Sequence, residues 1–186
     1  MRRLLRLSAW IDHLNDLIGR GVYWLGLVMV LVAAFNSIAR YAGNFIDVNW
    51  SSNAYLESQW YLFSVVFLLG AAYTLRHDGH VRVDVIFARL SPERQAWIDL
   101  AGTVLFLIPF SVLMIWVSLP SVEHSWAVSE MSPDPGGLPR YPIKTLIPVA
   151  FALLILQALS MMVRSIATIR GISIEREPPH KEVGRA

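Results

Sequence analysis

Four long apolar runs dominate the chain, each free of formal charge and closed at both ends by a charged residue. GVYWLGLVMVLVAAFNSIA fills the 19 positions between Arg20 and Arg40, and SQWYLFSVVFLLGAAYTL the 18 between Glu57 and Arg76. LAGTVLFLIPFSVLMIWVSLPSV fills the 23 between Asp99 and Glu123, and TLIPVAFALLILQALSMMV the 19 between Lys144 and Arg164. Crossing a hydrocarbon core roughly 30 Å thick takes about 20 predominantly apolar residues. Backbone polar groups in lipid must be satisfied within the segment, which selects helix, and the runs lack the period-2 alternation of a barrel strand. The pattern predicts an all-α membrane protein of four transmembrane helices, at about 21–39, 58–75, 100–119 and 145–163, in one membrane domain over residues 1–170. Pro109 and Pro148 are expected to kink their helices or ease their entry. The first run is read as a retained span, since it exceeds the 7–15 residues of a signal-peptide core.

The segments between the runs have patterns of their own. Near the N-terminus Leu7, Trp10, Ile11, Leu14, Leu17 and Ile18 share one helical face, and Asp12, Asn15 and Asp16 the other. This predicts either an amphipathic interfacial helix on the membrane surface or an extension of the first span. In RHDGHVRVDVIFARLSPERQAWID, Val83, Ile86, Phe87 and Leu90 could form a short apolar face, and Ser91-Pro92-Glu93 reads as a helix start. SPDPGGLPRYP carries Pro133, Pro135, Pro139 and Pro142, too much Pro and Gly for a helix, so a stiff, turn-rich connector is expected there. Residues 171–186 read as a polar, disordered tail.

Charge sets the orientation. Of 16 Lys and Arg residues, thirteen lie in the N-terminal segment, the connection between the second and third runs, and the tail. The other two loops hold only Arg40, Arg140 and Lys144. The positive-inside rule then places both termini in the cytoplasm. Composition agrees with a membrane class: 55% of residues are apolar and 16% charged, against about 25% charged in soluble domains. With no cysteine, disulfides, thiolate metal sites and a cysteine nucleophile are excluded. The basic tail reads as a topology signal and a contact for anionic membrane lipids; nothing suggests nucleic acid.

Little in the chain points to catalysis, and neither a catalytic residue nor a metal or cofactor ligand is assigned. No charged residue falls near the middle of a run, where an ion-coupled carrier usually keeps one. All five histidines lie outside the runs, which disfavours a bis-histidine haem anchor. His77, His80 and Asp84 are close in sequence, and a structural interfacial network is the preferred reading over a metal site. Asn36 and Gln157 are the larger polar groups within the runs, and each is expected to hydrogen-bond to a neighbouring helix. Arg40 and Glu57 close adjacent runs at matching depth and are read as a structural ion pair. Gly70-Ala71-Ala72 and Ala33-x-x-x-Ser37 offer small-residue faces for close helix packing.

The stretch ESQWYLFSVVFLLGAAYTLRHDGHVRVDVIFARL, from Glu57 to Leu90, resembles the small, Q-type membrane subunit of tripartite ATP-independent periplasmic (TRAP) transporters. The matching features are Glu57 and Trp60 opening the second run, Gly70-Ala71-Ala72 closing it, His80-Val81-Arg82-Val83-Asp84 beyond it, and Arg40-Tyr41 ending the first. The four-span layout and length match over nearly the whole chain. The resemblance implies a non-catalytic subunit of a bacterial inner-membrane complex. It would brace a large, usually sodium-coupled membrane subunit and help dock a periplasmic solute-binding protein. SPDPGGLPRYPIKTLIPVAFALLILQ is similar to the branch associated with carboxylate solutes. Arg40, Glu57, Trp60, Gly70, His80 and Asp84 are the structural or interface candidates; solute and sodium ligands would belong to the large subunit. Two other readings stay open, a self-sufficient oligomeric carrier and the membrane anchor of a redox enzyme.

Overall fold

The computed structural model describes residues 1–46, 52–77, 79, 87 and 89–172. Among these the architecture is helical: α1 (Arg2–Ile46), α2 (Asn53–Arg76), α3 (Pro92–Gly102), a π-helical turn (Thr103–Leu107), α4 (Ile108–Ala127) and α5 (Tyr141–Ile169). Four helical segments are long and apolar enough to cross a membrane: α1, α2, the continuous α3–π–α4 rod and α5. Each contains one of the predicted spans. The helix starts follow local chemistry. Ser52 caps α2 by accepting the Ala54 N–H at 3.2 Å. Pro92 opens α3 after Ser91, and the Gln95 amide donates back to the Phe87 and Leu90 carbonyls, closing the turn before it. Pro109 lacks the N–H that would continue the ladder, and the π turn lies immediately before it.

The packing is lopsided. Helix α5 touches α1, α2, α3 and α4, and α1, α2 and α5 form a mutually packed triangle, whereas the α3–π–α4 rod packs against α5. Consequently α5 is covered on almost every side, with Pro142, Val149, Ala152 and Leu159 its exposed positions. Large apolar side chains point outward along the other helices, as lipid or a membrane partner permits.

The N-terminal segment is one continuous 45-residue helix with the first span. At 1.5 Å per residue this is about 68 Å, roughly twice the hydrocarbon core. Of the two expectations the extension of the span is the one observed, and its faces are inverted relative to a surface-lying helix. Trp10 is 61% exposed while Asp12 is 2% exposed. Ser8, Ile11, Asp12, Asn15, Gly19 and Val22 form a buried seam, which resumes at Asn36 and Ala39. Small and polar residues allow helices to approach and bond to one another, and the large apolar ones are left for the outside. At Gly19 the approach is closest: a Cβ there would overlap the Tyr73 ring of α2.

Candidate functional site: polar clusters at the two ends of the bundle

The first cluster joins α1, α2 and α5 at the end where Arg76 and Arg164 sit. Asp12 projects from the α1 seam, and its Oδ1 accepts from Gln157 Nε2 at 3.0 Å and from Ser160 Oγ at 2.8 Å. Its Oδ2 accepts an ion-paired hydrogen bond from the Arg164 guanidinium. One turn further, Asn15 Nδ2 donates to Gln157 Oε1 at 2.7 Å, and one turn back the Ser8 and Ser160 hydroxyls lie 2.7 Å apart. Helix α2 enters through Arg76, which ion-pairs with Asp16 and donates to the Asp12 carbonyl. His77 Nε2 lies 3.0 Å from Asp16 Oδ1. The spacing explains the match: Ser8, Asp12 and Asn15 occupy one face of α1, and Gln157, Ser160 and Arg164 one face of α5. This cluster links three helices by side chain to side chain.

The second cluster lies at the opposite end and is built around a loop. Residues 128–140 fold back on themselves, with Ser132 N–H donating to the Leu138 carbonyl at 3.1 Å, Arg140 N–H to the Glu130 carbonyl at 2.8 Å, and an antiparallel bridge between Met131 and Pro139. The expected turn-rich connector is thus an ordered hairpin. Glu57, on the first turns of α2 and 4% exposed, holds it. One carboxylate oxygen accepts from Ser132 Oγ and the other from the Leu138 N–H. Asn53 Nδ2 donates to the Pro135 carbonyl at 3.0 Å and Tyr61 Oη to the Pro139 carbonyl at 3.0 Å. Gly137 makes the contact possible, because a Cβ there would stand 2.5 Å from Ser132 Cβ and 2.8 Å from the Glu57 carboxylate. At the hairpin base Glu130 accepts from Lys144 and, at 2.7 Å, from Ser125 Oγ. The hydrogen bond from the Lys144 ammonium first, then that from Ser125, and more weakly the charges of Lys144 and Arg140, hold the Glu130 carboxyl below its usual range.

The sequence-derived candidates fall in different places. Glu57 is in the second cluster, but its expected pairing with Arg40 does not occur. Arg40 is exposed and unbonded among the described residues. Position 40 lies about 100° round the helix from the buried Ala39, while Glu57 is met by donors of the hairpin. Trp60 is partly exposed on α2 and packs edge-on against Tyr61. Gly70 faces Val22 at ordinary contact distance, since a Cβ there would lie 3.8 Å from the Val22 side chain, so the tight α1–α2 approach is at Gly19 instead. Ala33 and Ser37 make no small-residue joint inside the bundle, since Ser37 is exposed and its hydroxyl donates to the Ala33 carbonyl. His80 and Asp84, and the tail from residue 173, lie outside the described residues. Gln157 does bond to a neighbouring helix, as expected. Asn36 is buried, and its Oδ1 has no partner among the described residues.

Sequence reasoning missed Asp12, Asn15, Ser160 and Arg164. Their signal was a polar stripe on α1 in phase with the small and polar seam of the first span, matched by a second stripe of like spacing on α5. No curated protein and no solved structure matches the chain. The model of the family described as "Tripartite ATP-independent periplasmic transporters, DctQ component" matches residues 29–168. That match takes in all of α2 through α4, both partners of the hairpin clasp and nearly all of α5. A multi-pass helical membrane protein matched over well more than half its length in this way belongs to the DctQ family, the small membrane component of TRAP transporters.

Proposed function

We propose that this chain braces the large, ion-coupled membrane subunit of a TRAP transporter and, with its hairpin turned to the periplasm, helps dock the solute-binding protein. The observation that carries this reading is the engagement of the polar groups. Asp12, Asn15, Gln157 and Ser160 bond to one another, and Glu57 holds a loop. They fix the shape of a scaffold and leave the transport of solute and ion to another subunit. Membership in a transporter-component family makes the chain a non-enzyme. The excess of Lys and Arg in the segments at the Asp12 end supports a cytoplasmic location for that end and for both termini, in a bacterial inner membrane. The expected solute is an organic carboxylate, with sodium bound by the large subunit and no cofactor on this chain.

Proteoliposomes test the reading. Containing only this chain, under a sodium gradient, they should take up no carboxylate above empty vesicles, and addition of the large subunit and the binding protein should establish uptake. Uptake by the chain alone would sink the scaffold role in favour of an oligomeric carrier. A pair of large subunit and binding protein that transports equally well without the chain would remove any role for it.

A further inference from the structure

The hairpin carries one cation, Arg140, whose side chain has no hydrogen-bond or ion-pair partner among the described residues. Arg140 is the residue at which the hairpin ends and α5 begins, and its backbone is fixed on both sides: its N–H donates to the Glu130 carbonyl at 2.8 Å, and its carbonyl accepts from the Lys144 N–H at 3.2 Å. Its guanidinium makes no hydrogen bond or ion pair among the described residues, and Nε is buried without an acceptor. Two carboxylates are near enough to feel its charge, Glu57 and Glu130. Both are already engaged, Glu57 by Ser132 and Leu138, and Glu130 by Lys144 and Ser125. A guanidinium presents a planar fork suited to two oxygens of one acceptor, and here the local acceptors serve the loop instead. On the same hairpin Val128 and Met131 are each more than half exposed, as is Trp126 at the end of α4 just before it, and Glu57, Asn53 and Tyr61 clamp the hairpin to α2. Arg, Trp and Met are enriched at protein interfaces and, for Arg and Trp, at their energetic centres. A loop ordered in advance loses little entropy on binding.

We infer that the hairpin 128–140 is a preformed docking element in which Arg140 pairs with a carboxylate side chain of the solute-binding protein, flanked by apolar contacts from Val128 and Met131. The inference deepens the docking role proposed above and rests on it. Charge complementarity selects the acceptor, and the exposed apolar residues on a clamped loop select a protein surface over a lipid phosphate.

The experiment uses the complex of this chain with the large subunit, in nanodiscs of neutral phosphatidylcholine and in nanodiscs containing phosphatidylglycerol, and measures the affinity of the solute-loaded binding protein. Arg140→Ala should weaken binding about tenfold or more in both bilayers, and Arg140→Lys should weaken it less, as expected for loss and partial retention of a charge-assisted contact. Wild-type binding should weaken with added salt. Arg140→Glu should be rescued by a lysine at one of the binding protein's surface carboxylates, a result that a merely unfolded hairpin would not give. Equal affinity of wild type and Arg140→Ala would overturn the inference while leaving the docking role intact. A loss seen only with phosphatidylglycerol would assign Arg140 to a lipid phosphate and overturn it as well. No binding by the wild-type complex would overturn the docking role and this inference together.

Discussion

The two polar clusters use similar residues in opposite ways. At the Asp12 end a carboxylate bonds to side chains of another helix, and the result is a cross-brace among α1, α2 and α5. At the Glu57 end a carboxylate bonds to a hydroxyl and a main-chain N–H of one loop, and the result is the shape of that loop. A carboxylate serving side chains couples elements and contributes to the stability of the whole. One serving backbone specifies local conformation and leaves the helices to pack by themselves. The difference teaches that burial alone does not reveal a charge's role, since Asp12 and Glu57 are almost equally buried.

The comparison breaks first at Asp12. Asp12→Ala deprives Gln157, Ser160 and Arg164 of their common acceptor. Removing one partner of a buried ion pair costs about 3–5 kcal/mol. The low end of that range is expected, because Arg164 is 42% exposed by side chain and can turn to water. Thermal unfolding in detergent should show the loss as a large drop in midpoint. The double variant Asp12→Ala with Arg164→Ala should lose less than the sum of the single variants, as for coupled neighbours. Additive losses would show that the brace is not a unit.

The legibility of the two ends in the sequence differed for a physical reason. The spans could be read because a charge-free run of membrane length is rarely stable outside a bilayer. The hairpin's turns could be read from Pro133, Pro135, Gly136 and Pro139. Its attachment could not, because Glu57 contacts Ser132 and Leu138 across 75 and 81 positions and uses a main-chain N–H that every residue but proline offers. At the other end the polar positions of α1 were visible, but the 3.6-residue period assigns faces without saying which face meets protein. Applied to a helix in water it puts Asp12 and Asn15 outside, and in this bundle they are inside. The continuation of their seam into Gly19, Val22, Asn36 and Ala39 is the feature that settles the phase.

A second, more local effect is expected at Glu57. Glu57→Ala removes the acceptor for both Ser132 and Leu138, while the α1–α2–α5 triangle keeps its own contacts. Limited proteolysis within residues 131–139 should become several times faster, and the unfolding midpoint should move less than in Asp12→Ala. A midpoint shift as large as that of Asp12→Ala, with no gain in cleavage, would erase the distinction between the two ends.

The smallest effect sharpens the comparison through pH. The Glu130 carboxyl titrates below its ordinary value, chiefly because Lys144 and Ser125 donate to its charged form. For a carboxyl whose folded value is depressed, the unfolded state takes up the proton first as pH falls. Its contribution is therefore complete above the ordinary glutamate value of about 4.3 and fades as pH drops through the lower folded value. Above about pH 5, wild type should hold the hairpin base more firmly than Glu130→Gln by a constant margin, read as slower hydrogen exchange at the Arg140 amide. Acidification below about pH 4 should shrink that margin toward zero. Added salt should narrow it at neutral pH, because Glu130 and Lys144 both remain partly open to solvent. A margin that grows on acidification would mean that the carboxyl is held by its protonated form and would reverse the roles of Lys144 and Ser125 in the hairpin base.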